Sequence, residues 1–434
     1  MPADPHQAAV AIWRAALAAG DVAPLLQRQL RLSGHRLSAG PLSLDLDRMR
    51  RVLVLGAGKA GASMARAVES ILGDRVSEGF VVVKDGYRLP TARIEIAEAG
   101  HPVPDGRGLA ASARLLALAE SAIADDLVIF LVSGGGSALT PAPVPPITLE
   151  EKQAMTRLLL AAGATINELN AVRKHVSRFK GGRLARAATP APILTLALSD
   201  VIGDPLDVIA SGPTAPDPST YAEALAILER RGVLDRTPPS IVARLRAGVA
   251  GAAAETPKPG DPIFERVTNL VVGNNALVVD AAAAEAERLG YRPHLLTRSL
   301  QGEAREVAGD LLVRARALSG PVALIAGGET TVTVRGKGRG GRCQEFALAA
   351  ALALREGERL VVLAAGTDGT DGPTDAAGGL VDASTASRGR AAGVEAARAL
   401  ADNDAHTFLT AAGAAVVTGP TNTNLLDLYL ILRP

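Results

Sequence analysis

A run of Val and Leu, Arg51 to Leu55, ends directly at Gly56-Ala-Gly-Lys-Ala-Gly61, and the helix-forming segment Ala62 to Leu72 follows at once. Strand, glycine turn and helix in that order form the opening unit of a doubly wound α/β sheet. The same grammar recurs along the chain. Leu127–Val132 runs into Ser133-Gly134-Gly135-Gly136-Ser137, and Ile193–Leu198 into Ser199-Asp200. Asn269–Val272 ends at Gly273-Asn-Asn275, Val322–Ala326 at Gly327-Gly328-Glu329-Thr330, and Leu360–Ala364 at Gly366-Thr-Asp-Gly-Thr-Asp371. In open α/β sheets ligands bind outside the carboxyl ends of the strands, and glycine lets the backbone approach a phosphate. One such loop is weak evidence, but a series through both halves points to a large polyanionic ligand.

The intervening segments fit that frame. Gly79–Lys84, Arg93–Ala97, His294–Thr297 and the closing Leu425–Leu432 read as strands, and Thr331–Val334 alternates like one. Arg107–Ser121, Ile166–Ser177, Ala276–Leu289 and Cys343–Leu354 read as helices, and Thr148 with Glu151 forms a capping-box signature. With 434 residues the chain exceeds one ordinary core, so two domains are expected. Prolines at 238, 239, 257, 259 and 262 make residues 235–265 the weakest stretch for packed structure. The boundary is placed there, giving domains 1–260 and 261–434.

Charge and cysteine content narrow the function classes. The 46 basic and 45 acidic residues nearly cancel, which leaves no electrostatic footprint for nucleic acid or an anionic membrane. A single cysteine, Cys343, excludes an internal disulfide and a Cys-based zinc site. Leu127–Ser133 is apolar but far too short to span a bilayer. The N-terminal residues have an early Asp and no basic region ahead of an apolar one, unlike a secretory signal. A cytoplasmic protein is expected.

The segment from Gly56 to Gly61 matches G-x-G-x-x-G, the dinucleotide fingerprint. That site wants an acid at the end of the second strand, roughly 20 residues on. Here the strand ends in Lys84-Asp85, so the acid comes late. Lys59 stands inside the turn, where a cation can reach a transferring phosphoryl group. The plain alternative is a strand–helix turn with a solvated lysine. Gly56, Gly58 and Gly61 are phosphate-binding candidates. Ser133, Gly134, Gly135, Gly136 and Ser137 join them, because three consecutive glycines are entropically costly unless the backbone needs unusual angles.

Further candidates lie downstream. Arg173 and Lys174 belong to an acid-free basic cluster with Arg178, Lys180 and Arg183, suited to a carboxylate or phosphate. A solvated helix face is the alternative, and His175 reads as structural. Asp200, just past a strand end, suits Mg²⁺ binding or acceptance of a hydroxyl proton, whereas Asp204 reads as a turn cap. Gly341 and Arg342 stand at a helix start after a glycine loop, where a guanidinium can neutralise phosphoryl charge. Glu329 is placed to bind metal or orient Arg342. Asp368, Asp371 and Asp375 lack the glutamate that closes an EF-hand, which leaves a Mg²⁺–nucleotide contact or ordinary turn chemistry. The candidate metal ligands are therefore Asp200, Glu329 and Asp368.

Quoted in order, GAGKAG, GHPVPDG, LVSGGGSAL, TINELNAVRKHVSRFKGGRLA, LSDVIGDPLDVIASGPTAPDPST, VVGNN, GGETTVTVRGKGRGGRCQEFAL, GTDGTDGPTDAAG and GPTNTNL resemble one family, the glycerate 2-kinases whose C-terminal module is called MOFRL. The resemblance runs from about Gly56 to the C-terminus. It implies an α/β fold of two domains, an N-terminal Rossmann-like doubly wound sheet and a C-terminal α/β domain with a mixed sheet, with the active site in the cleft between them. It implies ATP and Mg²⁺ as cofactors and D-glycerate as substrate, phosphorylated to 2-phosphoglycerate by a monomer or homodimer. The family's functional lysine falls on Lys59 and its functional arginine on Arg342. Many relatives carry Asn where Cys343 stands. Two other readings stay open: an NAD(P)H-dependent hydroxypyruvate reductase, a label relatives have carried, and a non-catalytic nucleotide or sugar-acid sensor.

Overall fold

The structure, a computed structural model, describes residues 4–434. They form two units, Val22–Val272 and a second made of the N-terminal residues through Asp21 together with Gly273–Pro434.

The 22–272 unit contains a small antiparallel meander of β1 (Leu30–Ser33), β2 (Arg36–Ala39) and β3 (Leu42–Asp45). Its main sheet has β4 (Arg51–Ala57), β5 (Glu78–Lys84), β6 (Ile94–Ala99), β7 (Asp126–Val132), β8 (Ile193–Leu198) and β9 (Val267–Gly273). The spatial order is β6-β5-β4-β7-β8-β9, and the pairings of β4 with β5 and β7, β5 with β6, and β7 with β8 are parallel. Counted from β4, this is the 3-2-1-4-5-6 order of a doubly wound dinucleotide-type sheet. β7 and β8 are buried along their whole length, as continuous Val/Leu/Ile runs require when helices cover both faces.

The other unit carries a mixed sheet: β10 (Arg292–Leu300), β11 (Val322–Gly328), β12 (Val361–Gly366), β13 (Gly378–Asp382), β14 (Ala415–Val416) and β15 (Asp427–Arg433), in the order β10-β11-β15-β12-β13-β14. Only β10 with β11 is parallel, and the final strand β15 inserts antiparallel between β11 and β12. The helix Arg342–Ala353 lies at the heart of this unit's core, its residues from Cys343 to Ala351 all buried.

Four sequence expectations change. The division falls at 272/273 rather than 260/261, because the strand read as opening the C-terminal domain is β9, the edge of the first sheet. Residues 4–21 belong with the C-terminal unit: the helix Pro5–Ala19 buries Ala8, Ala9, Ile12, Trp13 and Ala16 against the helix Asn275–Arg288. The proline-rich stretch also holds a helix, Pro239–Val249, with proline at its first turn, where the missing N–H costs nothing. Thr331–Val334 forms no strand beyond a single bridge from Thr331 to Glu303, and Val334 is exposed. Among the described residues no single helix is long and apolar enough to cross a membrane.

Candidate active site

In the strand order of the first sheet, direction of travel reverses between β4 and β7. The glycine turn after β4 and the Ser133–Ser137 loop after β7 meet at that switch point, where α/β sheets bind ligands. The two loops are laced together. Lys59 N–H donates to Gly134 O at 2.8 Å, and Ala60 N–H to Ser133 Oγ at 3.0 Å. Gly58 has φ +140°, and a Cβ there would lie 2.2 Å from Ser133 Oγ. Gly61 would meet Val81 Cγ1 at 2.8 Å, and Gly56 would meet Leu131 O at 2.9 Å.

This corrects the phosphate-cradle expectation for Gly56, Gly58 and Gly61. The N–H groups of Gly58 and Gly61 donate to Val82 O and Gly58 O, so every N–H from residue 58 to 61 is used within the protein. These glycines allow backbones to pack closely. Open donors lie in the second loop, where the N–H groups of Gly134 and Gly135 make no hydrogen bond with a described residue. Gly136 packs over Ala57 O, and Ser137 Oγ pairs with Ser211 Oγ at 3.0 Å. Lys59 is half-buried beside this loop: a Cβ on Gly135 would lie 3.4 Å from Lys59 Cγ and 3.0 Å from His101 Cδ2. The late acid Asp85 binds Arg107 through both oxygens, at 2.6 and 2.8 Å.

The basic cluster divides. Lys174 is buried and bonded to both Asp207 and Asp217, at 3.2 Å each, so its charge is already matched. Its expected role as a substrate contact is not supported by that placement. Arg173, by contrast, lines a cavity with Gly135, Ser137 and Lys180. His175 is structural: Nδ1 lies 2.7 Å from Ala171 O and Nε2 2.8 Å from Glu255, and burial holds its pKa below the ordinary value. Asp200 follows β8 and is half-buried. Asp204, after Gly203, takes a left-handed φ of 55°.

In the other unit, Gly341 caps the helix that starts at Arg342, and a Cβ at Gly341 would collide with the Asp371 carboxyl. A helix N-terminus disfavours a cation, so Arg342 needs carboxylates to hold it. Asp427 takes Nε at 2.6 Å and Nη2 at 2.9 Å, and Glu329 takes Nη1 at 2.9 Å. Burial works against the Arg342 charge, but Asp427 and Glu329 outweigh it and raise its pKa well above the ordinary value. Asp427 is the first residue of β15, in register with Gly328 of β11 and Gly366 of β12, and it also accepts the Tyr429 hydroxyl at 3.0 Å. Tyr429 Oη in turn accepts the Thr330 N–H at 3.1 Å. Sequence reasoning missed Asp427 and Tyr429. The signal available was an acid opening an otherwise apolar final strand.

Cys343 is fully buried, and its thiol is pushed far up by burial and by Asp427. Asp371 accepts from Gln344 N–H at 2.8 Å, and burial raises its pKa to about 6. Asp368 is buried and caps its own turn, accepting Thr370 N–H at 3.0 Å. Of the two placements expected of Glu329, the structure shows the pair with Arg342. Asp200 lies in one unit and Glu329 and Asp368 in the other, and no group of three His, Cys, Asp or Glu among the described residues is arranged to hold a metal. A Mg²⁺ ion delivered with a nucleotide needs only one or two carboxylates beside phosphate oxygens and water. Asp368, with an oxygen on the same face of Gly366 as Asp427, is a carboxylate of that kind.

The family model described as a domain of unknown function, DUF4147, matches residues 8–246, and the MOFRL family model matches residues 322–427. The D-glycerate 2-kinase of Thermotoga maritima is 44% identical over 89% of this chain and 91% of its own length. An Agrobacterium vitis protein named as a hydroxypyruvate reductase is also 44% identical, over 88% of this chain and 87% of its own. The crystal structure of glycerate kinase from Thermotoga maritima superposes with a TM-score of 0.83 at 40% identity, covering 99% of both chains. The chain belongs to the glycerate 2-kinase family.

Proposed function

We propose that the protein transfers the γ-phosphoryl group of ATP to the 2-hydroxyl of D-glycerate. The observation that carries this reading is the position of Lys59, a cation held at the topological switch point beside a glycine loop with open N–H donors. Phosphoryl transfer needs positioned positive charge and little covalent help from the protein. Lys59 and Arg342 are the positions on which the family's functional lysine and arginine fall, and they are the proposed cations of the reaction; Gly134 and Gly135 are the proposed donors to phosphate oxygens, and Asp200 the proposed acceptor of the hydroxyl proton. Asp368 is the assigned protein ligand of Mg²⁺, which when bound neutralises charge on the phosphate oxygens.

The reductase reading lacks the donors it requires. Its pyrophosphate would need the N–H groups of the first glycine turn, which are already bonded, and its ribose acid, Asp85, is paired with Arg107. Lys59→Ala tests the assignment. Removal of a transition-state charge contact is expected to lower kcat by about 100-fold or more, with the melting temperature nearly unchanged. Near-normal turnover would remove Lys59 from the reaction.

A further inference from the structure

Within the 22–272 unit lies a cavity of about 390 Å³ with an uncommon charge pattern. Four cationic side chains line it, Lys152, Arg157, Arg173 and Lys180, and no Asp or Glu does. Two of them are almost wholly inside the protein: Lys180 is 0% and Lys152 4% exposed. A buried ammonium is costly unless it is matched by an opposite charge. Lys174, a few residues away, shows the usual solution with its two aspartates.

Lys152 and Lys180 have no carboxylate partner among the described residues. Lys180 Nζ donates to Ser137 O at 2.8 Å, and Lys152 Nζ to Pro141 O. Each ammonium has three donors, so each keeps capacity beyond that carbonyl. The Arg173 guanidinium makes no hydrogen bond or ion pair with a described residue. Burial drives Lys152 down to about 7 and Lys180 well below the usual lysine value, the state of ammonium groups whose counter-charge is not supplied by the chain. The cavity also reaches His101, Gly135 and Ser137, beside the loop that meets Lys59.

We propose that Lys152, Arg173 and Lys180 form a preformed binding site for the carboxylate of the small hydroxy-acid acceptor. This rests on the kinase reading for the acceptor's identity and deepens it, since it assigns acceptor recognition to residues other than those of phosphoryl transfer. The size and charge favour a small monoanion. A triphosphate carries several charges and needs more room than this enclosed group of three cations. A carboxylate placed among them completes the pairs that the fold leaves open and favours the charged forms that burial disfavours. The remaining lining mixes apolar residues, Pro102, Pro104 and Ala138 among them, with the uncharged polar Gln153 and Thr156, which can hydrogen-bond a small hydroxylated anion.

The test uses direct binding to the whole, unaltered protein, followed by two variants. By calorimetry, D-glycerate and D-lactate each bind without nucleotide, and neutral glyceraldehyde does not. Lys180→Met and Lys152→Met, near-isosteric and checked for an unchanged circular dichroism spectrum, each weaken D-glycerate binding by about tenfold or more while the Kd for ADP stays within about twofold. In turnover the same variants raise KM for D-glycerate and leave KM for ATP in place.

Equal binding of glyceraldehyde, or loss of ADP or inorganic phosphate binding in place of D-glycerate binding, would overturn the proposal. The glyceraldehyde comparison needs no variant, so it decides even if a lysine substitution fails to fold. Carboxylate binding without any ADP formation from ATP would count against the kinase reading alone. ADP formation with glycerate binding untouched in both variants would count against the carboxylate site alone.

Discussion

Arg342 and Asp427 carry the finest-grained consequence. The guanidinium is fixed by a two-pronged contact to a carboxylate that is itself held by Tyr429. Such paired hydrogen bonds set direction as well as charge. Asp427→Asn keeps the shape but removes the charge and one acceptor, so Arg342 loses its fixed direction while Glu329 still holds Nη1. The expected result is a kcat lower by about 10–100-fold, with KM for both substrates nearly unchanged. Steady-state kinetics check this, and a fall in substrate affinity alone would assign Asp427 to binding. Lys59 and Arg342 stood out in the sequence because glycine neighbours mark the places where a side chain meets a ligand-sized gap. Asp427 did not stand out, because it meets Arg342 from 85 positions away and only through the pairing of β15 between β11 and β12. Lys152 was silent for a similar reason. It sits in the first turn of the helix Leu149–Ala161, just after the capping acid Glu151, and the fold alone brings it beside Lys180.

Among the elements, the strand–glycine–helix units were legible because each is local: a Val/Leu run, a turn and a helix within about twenty residues. What the glycines do was not legible, since their neighbours come from another strand's loop. A Cβ on Gly58, whose φ is +140°, would stand 2.2 to 2.8 Å from Ser133 Oγ and backbone. Gly34, at the tip between β1 and β2, has φ +60° and open space around it. Gly58→Ala is therefore expected to destabilise by about 3 kcal/mol or more, against about 1 kcal/mol for Gly34→Ala. Urea unfolding of both variants checks this, and equal losses would mean that the close approach of the two loops is not what requires glycine. The β1–β3 meander was overlooked although its signal was present. Leu30 to Asp45 alternates with a period of two around Ser33-Gly34-His35-Arg36 and Ala39-Gly40-Pro41-Leu42. Pro238 and Pro239 misled in the other direction, as breakers that in fact open a helix.

For the whole chain, the order of segments predicted two α/β units but not their membership. The helix Pro5–Ala19 begins the chain and packs within the unit that ends it, with Ile12 fully buried. Ile12→Ala should cost about 2–4 kcal/mol. Hydrogen exchange should then quicken in the helix Asn275–Arg288 while the amides of β4 and β7 keep their protection. Quickening confined to β4 and β7 would contradict the assignment of this helix. The family membership, the switch-point lysine and the carboxylate-held arginine meet in one claim, phosphorylation of D-glycerate at its 2-hydroxyl. The most direct test is an assay of the purified protein with ATP, Mg²⁺ and D-glycerate, coupled through enolase without a mutase, beside a parallel reaction holding hydroxypyruvate and NADH. ADP release with product that enolase consumes at once is the predicted result. NADH consumption without ADP release would contradict the account and make the first glycine turn a dinucleotide site.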